Sequence, residues 1–162
     1  MRLKSRLIFT GLLLTVILLT GCMGGADGKS QTWAIKVNSY HFADKAGSGY
    51  STYVPDEGYT YLVVNVSLTN LTQEPQDFSM IFVGNTLNYV SPNGNRYDMS
   101  NFLSRPSGHL PESYKAQQTR SGDVYIQVPV GTNPREGDVV FKAIDNPKDI
   151  VLSLKDTPEN VD

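Results

Sequence analysis

Cysteine, tryptophan and histidine are scarce in this chain of 162 residues, which holds one cysteine (Cys22), one tryptophan (Trp33) and two histidines (His41 and His109). A lone cysteine excludes an internal disulfide, so any core must hold without a covalent staple. Two histidines leave little for acid–base chemistry. A nucleophilic site needs a serine or cysteine, a histidine base and an orienting acid, and no Gly-x-Ser-x-Gly elbow occurs. Ser107-Gly108-His109 reads as an ordinary polar loop. His41, Met80, Met99 and His109 could in principle gather Cu(I), but the spacing lacks closely paired His and Met, and Met80 alternates with Phe78 and Phe82 as a core residue does. Around residues 93–98 the acidic ladder of a calcium loop is missing. The expectation is a protein that is not an enzyme and takes no metal and no cofactor.

Long hydrophobic runs are also missing. Residues 7–19 form an apolar stretch of about a dozen residues, where a spanning helix needs about twenty. Arg2, Lys4 and Arg6 precede it and Leu19-Thr20-Gly21-Cys22 closes it, which is the signature of a bacterial lipoprotein signal. Small residues precede the cut, and the thiol accepts diacylglycerol. Residues 1–21 therefore read as a signal peptide and Cys22 as the acylated first residue of the mature protein, held on the extracytoplasmic face of the cell membrane.

An excess of positive charge is absent as well. Residues 1–21 contain three of the fourteen basic residues and none of the sixteen acidic ones, so the mature chain carries eleven against sixteen, a net charge of minus five. That balance disfavours nucleic acid as a partner. It also supplies no polybasic second membrane signal, which leaves the acyl chains to do the anchoring.

What is present is period-two alternation. Residues 22–31 read as a lipidated, glycine-rich tether, 32–155 as one domain and 156–162 as a polar, frayed tail. In Tyr59–Asn70, Leu62, Val64, Val66 and Leu68 fall on one face and Tyr61, Val63, Asn65, Ser67 and Thr69 on the other, as in a half-buried strand. Trp33, Ile35 and Val37 make a similar row, then Tyr40 and Phe42 change parity, predicting a bulge near Asn38 or Ser39 and a strand end by His41. Further strands are expected over residues 77–83, 87–90, 96–99, 124–128, 139–144 and 150–154. Asn93-Gly94 forms a hairpin tip, and 112–117 could be a short helix. The count is about eight strands and the class all-β, an antiparallel β-sandwich.

Gly58 with Tyr61-Leu62-Val63-Val64-Asn65-Val66-Ser67-Leu68-Thr69-Asn70, Asn93-Gly94 followed by Tyr97, and Gly122 with Val124-Tyr125-Ile126-Gln127-Val128-Pro129 resemble a telokin-like, immunoglobulin-fold domain of unknown function found in Gram-positive bacterial lipoproteins. The resemblance spans residues 33–154 and departs at Lys115-Ala116, where the family usually has Pro-Gly. It implies an immunoglobulin-like β-sandwich and an extracytoplasmic binding or accessory module, with no active-site residues to carry over.

The tyrosines are numerous, and several fall in loops where rigid amphipathic rings can anchor a partner. The irregular segment 101–117 is long enough to be functional. Tyr53, Phe102, His109 and Tyr114 are the expected partner-binding residues, with Tyr61 and Tyr125 next. The expected partner is an exported protein, a peptide or a cell-wall component. The alternatives are a structural or immunity-type surface protein and a metal or small-ligand carrier.

Overall fold

A computed structural model describes residues 26–47, 49–78 and 85–160. Cys22 and Met80, and with them the acylation site and one arm of the copper reading, lie outside the described residues, as does most of the strand expected over 77–83.

The fold is an antiparallel β-sandwich. Among the described residues one four-stranded sheet has the order β1 (Asp27–Lys29), β2 (Trp33–Ala43), β3 (Tyr59–Asn70) and β8 (Thr119–Pro129). The second runs β10 (Ile150–Ser153), β9 (Asp138–Lys142), β5 (Thr86–Val90) and β6 (Arg96–Asp98), and a small ladder joins β4 (Gln76–Asp77) to β7 (Ser113–Tyr114). The core lies where the two inner faces meet. Ile35, Val37, Leu62, Val64, Val66, Leu68, Val124, Ile126 and Val128 face Leu87, Tyr89, Val139, Phe141 and Leu152 across it. These are the aliphatic rows that the alternation predicts, because a period-two pattern can bury one face only in one register.

The bulge falls where parity changes. Pairing between β2 and β3 shifts between Val37 and Ser39, which returns Tyr40 to the core and lets β2 run on to Ala43 instead of ending by His41. The hairpin between β5 and β6 turns at Gly94, in the left-handed region at φ 84°, with its N–H bonded to the Ser91 carbonyl at 2.9 Å.

Four expectations are corrected. Asp27–Lys29, expected within the tether, pairs with β2 as a strand, and Ala26 packs on the core. The tail does not fray through residue 160. Tyr40 N–H donates to the Pro158 carbonyl at 3.1 Å and Asn160 N–H to the Tyr40 carbonyl at 2.8 Å, so residues 158–160 cover the open edge of β2 beside the bulge. Residues 112–117 are not helical. Tyr114 instead joins β7 and is buried with its ring edge-on to Trp33 at 5.3 Å, tertiary packing overriding a weak local preference. Lys115-Ala116 lies in a turn closed by Gln118 N–H donating to the Lys115 carbonyl at 3.1 Å, at the cost of holding Gln117 at φ 54°.

The fourth correction concerns the outer face of β3, which is not uniformly half-exposed. Tyr61 and Val63 are buried in a second apolar cluster with Ala46 and Tyr125, and Ala43, Tyr53 and Phe102 pack on it. Only the other half of that face stays polar. There Asn38 donates to Asn65 at 2.9 Å, Asn65 donates to Asp123 at 2.7 Å, and the hydroxyl pairs Ser67–Ser121 and Thr69–Thr119 stand across β3 and β8.

Candidate binding surface

β8 would be an exposed edge but for the segment that follows β6. Ser100 N–H donates to the Tyr125 carbonyl at 2.7 Å, Leu110 N–H to the Asp123 carbonyl at 3.1 Å, and Asp123 N–H to the Gly108 carbonyl at 2.8 Å. Residues 99–110 thus form a strap whose two ends pair with β8, which satisfies the edge and blocks addition of another strand. Gly122 makes this possible. A Cβ there would stand 2.5 Å from Leu110 Cα and 2.6 Å from Leu110 N, so only glycine admits the strap.

Between its two attachments the strap lays Phe102 and His109 over the outer face of the sheet. Phe102 sits 4.7 Å from Tyr53, 6.0 Å from Tyr61 and 5.5 Å from Tyr125, ring centre to ring centre, and the latter two contacts are edge-to-face. His109 stacks on Tyr125 with 12° between planes at 6.5 Å. Ser104 N–H donates to the Tyr53 hydroxyl at 2.8 Å, which ties the strap to the connection between β2 and β3. Each such aromatic pair is worth about 0.5–1.5 kcal/mol beyond area burial. Together they make a clasp that fixes two long loops without a disulfide.

Burial lowers the His109 imidazole pKa from the ordinary 6.5, Arg105 adds to the lowering, and the Leu110 carbonyl and Asp123 oppose it. Its Nδ1–H donates to the Leu110 carbonyl at 3.1 Å, so the ring is spent on holding the strap. A cavity of about 30 Å³ beneath, lined in part by Met99, Phe102, His109 and Leu110, has room for little more than a water molecule.

Three of the four expected binding residues therefore come together: Tyr53, Phe102 and His109 form the clasp, with Tyr61 and Tyr125 beneath it. Tyr114 does not join them. It lies in the main core, its hydroxyl finds no hydrogen-bond partner among the described residues, and burial raises its pKa far above the ordinary 10. Tyr53, Phe102 and His109 are themselves half-buried, so they shape the surface more than they present it.

The open space lies beside the clasp. A groove of about 480 Å³ is lined by His41, Phe42, Ala43, Asp44, Lys45, Gly47, Ser107 and Tyr125, a size that suits a small ligand or a short peptide segment. His41, Val63 and Tyr125 stand in register across β2, β3 and β8, so the groove crosses the sheet. Its walls are the two loops that the clasp locks. Sequence reasoning missed His41, Phe42, Lys45 and Ser107, because only the bulge sets which way His41 and Phe42 point. The interior glycine of β8 was the signal for the strap.

Among the described residues no group of three or more His, Cys, Asp and Glu gathers to hold a metal, and no helix is long and apolar enough to cross a membrane. Met99 and His109 share the small cavity and His41 lines the groove.

Solved structures similar to this chain are β-sandwiches of Gram-positive bacteria. The yjhA protein of Bacillus subtilis matches 83% of this chain and 96% of its own at 14% identity with a TM-score of 0.55. An uncharacterised β-sandwich protein of Clostridium difficile matches 78% and 88% at 15% identity and 0.52. The ycdA protein of Bacillus subtilis, described as a candidate lipoprotein, matches 79% of this chain at 13% identity and 0.54, and the match spans 38% of that protein. At these identities the likeness is one of fold. No protein-family model and no curated protein sequence matches the chain.

Proposed function

We propose that this protein is a lipid-anchored extracytoplasmic module, not an enzyme, that binds a segment of an exported protein, a peptide or a cell-wall component in the groove between its clasped loops. The observation that carries this reading is a 480 Å³ groove whose two walls are long loops fixed by the Tyr53–Phe102–His109 clasp. Preorganised walls lower the ordering cost of binding. The groove offers an imidazole, an ammonium, a carboxylate, a hydroxyl and two aromatic rings, a mixture that suits recognition of a polar chain with one apolar anchor. The lipoprotein signal ending at Cys22, the telokin-like resemblance and the candidate lipoprotein among the structural neighbours all agree with a surface-attached binding role.

Crosslinking with mass spectrometry on intact membranes tests it. Phe42→Ala with Lys45→Glu should leave the melting temperature nearly unchanged and remove the crosslinked partner, anchor positions being worth about 2 kcal/mol or more. Retention of the partner at native strength refutes the groove.

A further inference from the structure

Large apolar side chains that stay exposed gather at one end of the sandwich. Among the described residues nine are exposed, and six of these are Phe42, Tyr50, Val54, Tyr59, Leu103 and Val130. The register puts them together. β2 ends at Ala43 opposite Tyr61, β3 begins at Tyr59 opposite Pro129, and Val130 N–H donates to the Gly58 carbonyl at 3.0 Å. Tyr50 and Val54 lie on the connection between β2 and β3, and Leu103 follows Phe102 and precedes Ser104, both held by Tyr53. Tyr50 and Leu103 are fully exposed. Apolar residues concentrated in this way mark a surface that something covers.

The chain's own attachment says what covers it. Cys22 lies four residues before Ala26, and Ala26 is fixed by the bond from Val37 N–H to its carbonyl at 2.8 Å. Fully extended, four residues reach at most about 14 Å. β1 runs antiparallel to β2, so the chain enters it from the direction of the apolar end. A domain acylated at Cys22 cannot stand clear of the headgroups.

We propose that the apolar end docks on the bilayer, with Tyr50 and Leu103 entering the interface and the groove opening sideways along the membrane surface. This rests on acylation at Cys22. Arg105 at this end is paired with Glu112, which leaves Lys45 against Asp44, Asp56 and Glu57, so apolar side chains and not attraction to anionic lipid carry the docking.

The test uses the full acylated protein in vesicles of phosphatidylcholine, with and without phosphatidylglycerol. A single cysteine at Leu103 or Val130 carries an environment-sensitive fluorophore, and one at Ile144, an exposed apolar residue away from that end, is the control. The expected result is a blue shift and quenching by headgroup-level nitroxide lipid at 103 and 130, none at 144, present without phosphatidylglycerol and retained at high salt. Tyr50→Asp with Leu103→Asp should abolish the quenching at 130. Acylated protein unquenched at 103, equal quenching at 144, or a blue shift that lipid nitroxide does not quench, meaning a protein covers the end, each overturns the docking. Fatty-acid labelling of the same sample separates the premises, since missing label overturns the lipoprotein reading and the docking with it.

Discussion

Gly122→Ala is the substitution that most directly questions the strap. Its new methyl would meet the Leu110 and His109 backbone at 2.5 to 2.9 Å, and main chain cannot swing aside as a side-chain tip can. Overpacking of this kind costs about 1–3 kcal/mol. If the strap lifts, the two bonds joining Asp123 to Gly108 and Leu110 are lost as well, about 1 kcal/mol each. Alanine recovers about 0.5–1 kcal/mol by restricting the unfolded chain. The net loss is about 2–4 kcal/mol out of a typical total of about 5–15. For a domain of this size that lowers Tm by about 10 °C. Thermal denaturation measures it, and hydrogen exchange at Leu110 and Asp123 localises it. Ser121→Ala, next along the strand, gives up only its exposed hydroxyl contact to Ser67 and should change Tm by little. Gly122→Ala protein as stable as the parent, with Leu110 still protected, would refute the close approach of strap and strand.

Val63→Asp should unfold the domain as thoroughly as Val64→Asp, since both side chains are fully buried and an unpaired buried carboxylate costs several kcal/mol; a clearly milder melting loss for Val63→Asp would show that the clasp does not seal the outer face. Tyr114→Phe removes a buried hydroxyl that has no partner among the described residues and should be neutral or stabilising by up to about 2 kcal/mol, whereas a drop in Tm would reveal a partner for it. Because the His109 pKa is lowered on folding, the unfolded chain binds the extra proton first, so stability is full above pH 6.5 and falls as pH drops from there toward the folded value; His109→Phe should flatten that part of the Tm profile, and an unchanged slope would assign it elsewhere. Cys22→Ala should abolish fatty-acid labelling and membrane retention, and label persisting on the variant would overturn the acylation site.

The inner face of the sandwich was legible in the sequence because alternation over Trp33–Val37, Tyr59–Asn70 and Val124–Val128 has one register that buries the aliphatic row. The bulge was legible for the same reason, as a change of parity. The outer face was not, because a strand's pattern cannot say what lies above it. Tyr61 and Val63 look exposed until residues 99–110 return across the sheet, and that return is fixed by backbone bonds to β8 that no local preference encodes. Asn70 is a similar case. At the end of its strand it holds a buried amide that donates to the Glu74 carbonyl at 2.7 Å and the Lys115 carbonyl at 3.0 Å while accepting from Thr72.

The two corrections at the chain ends have one physical explanation. A sandwich must protect its open edges, because an unpaired edge is both a loss of hydrogen bonds and an invitation to aggregate. Here Asp27–Lys29 covers the first half of β2, residues 158–160 cover Tyr40 just beyond the bulge, and the strap covers β8. Tyr40 then locks the tail side, its hydroxyl accepting from Arg135 Nε at 3.0 Å and lying 3.4 Å from the Glu159 carboxylate. The polar composition of both ends, which reads as tether and tail, is what such edge pieces need, since each has one side against the sheet and one in water. Pairing β1 with β2 also fixes Ala26 to the sheet, which limits how far Cys22 can lie from the domain, the premise of the proposed docking of the apolar loops.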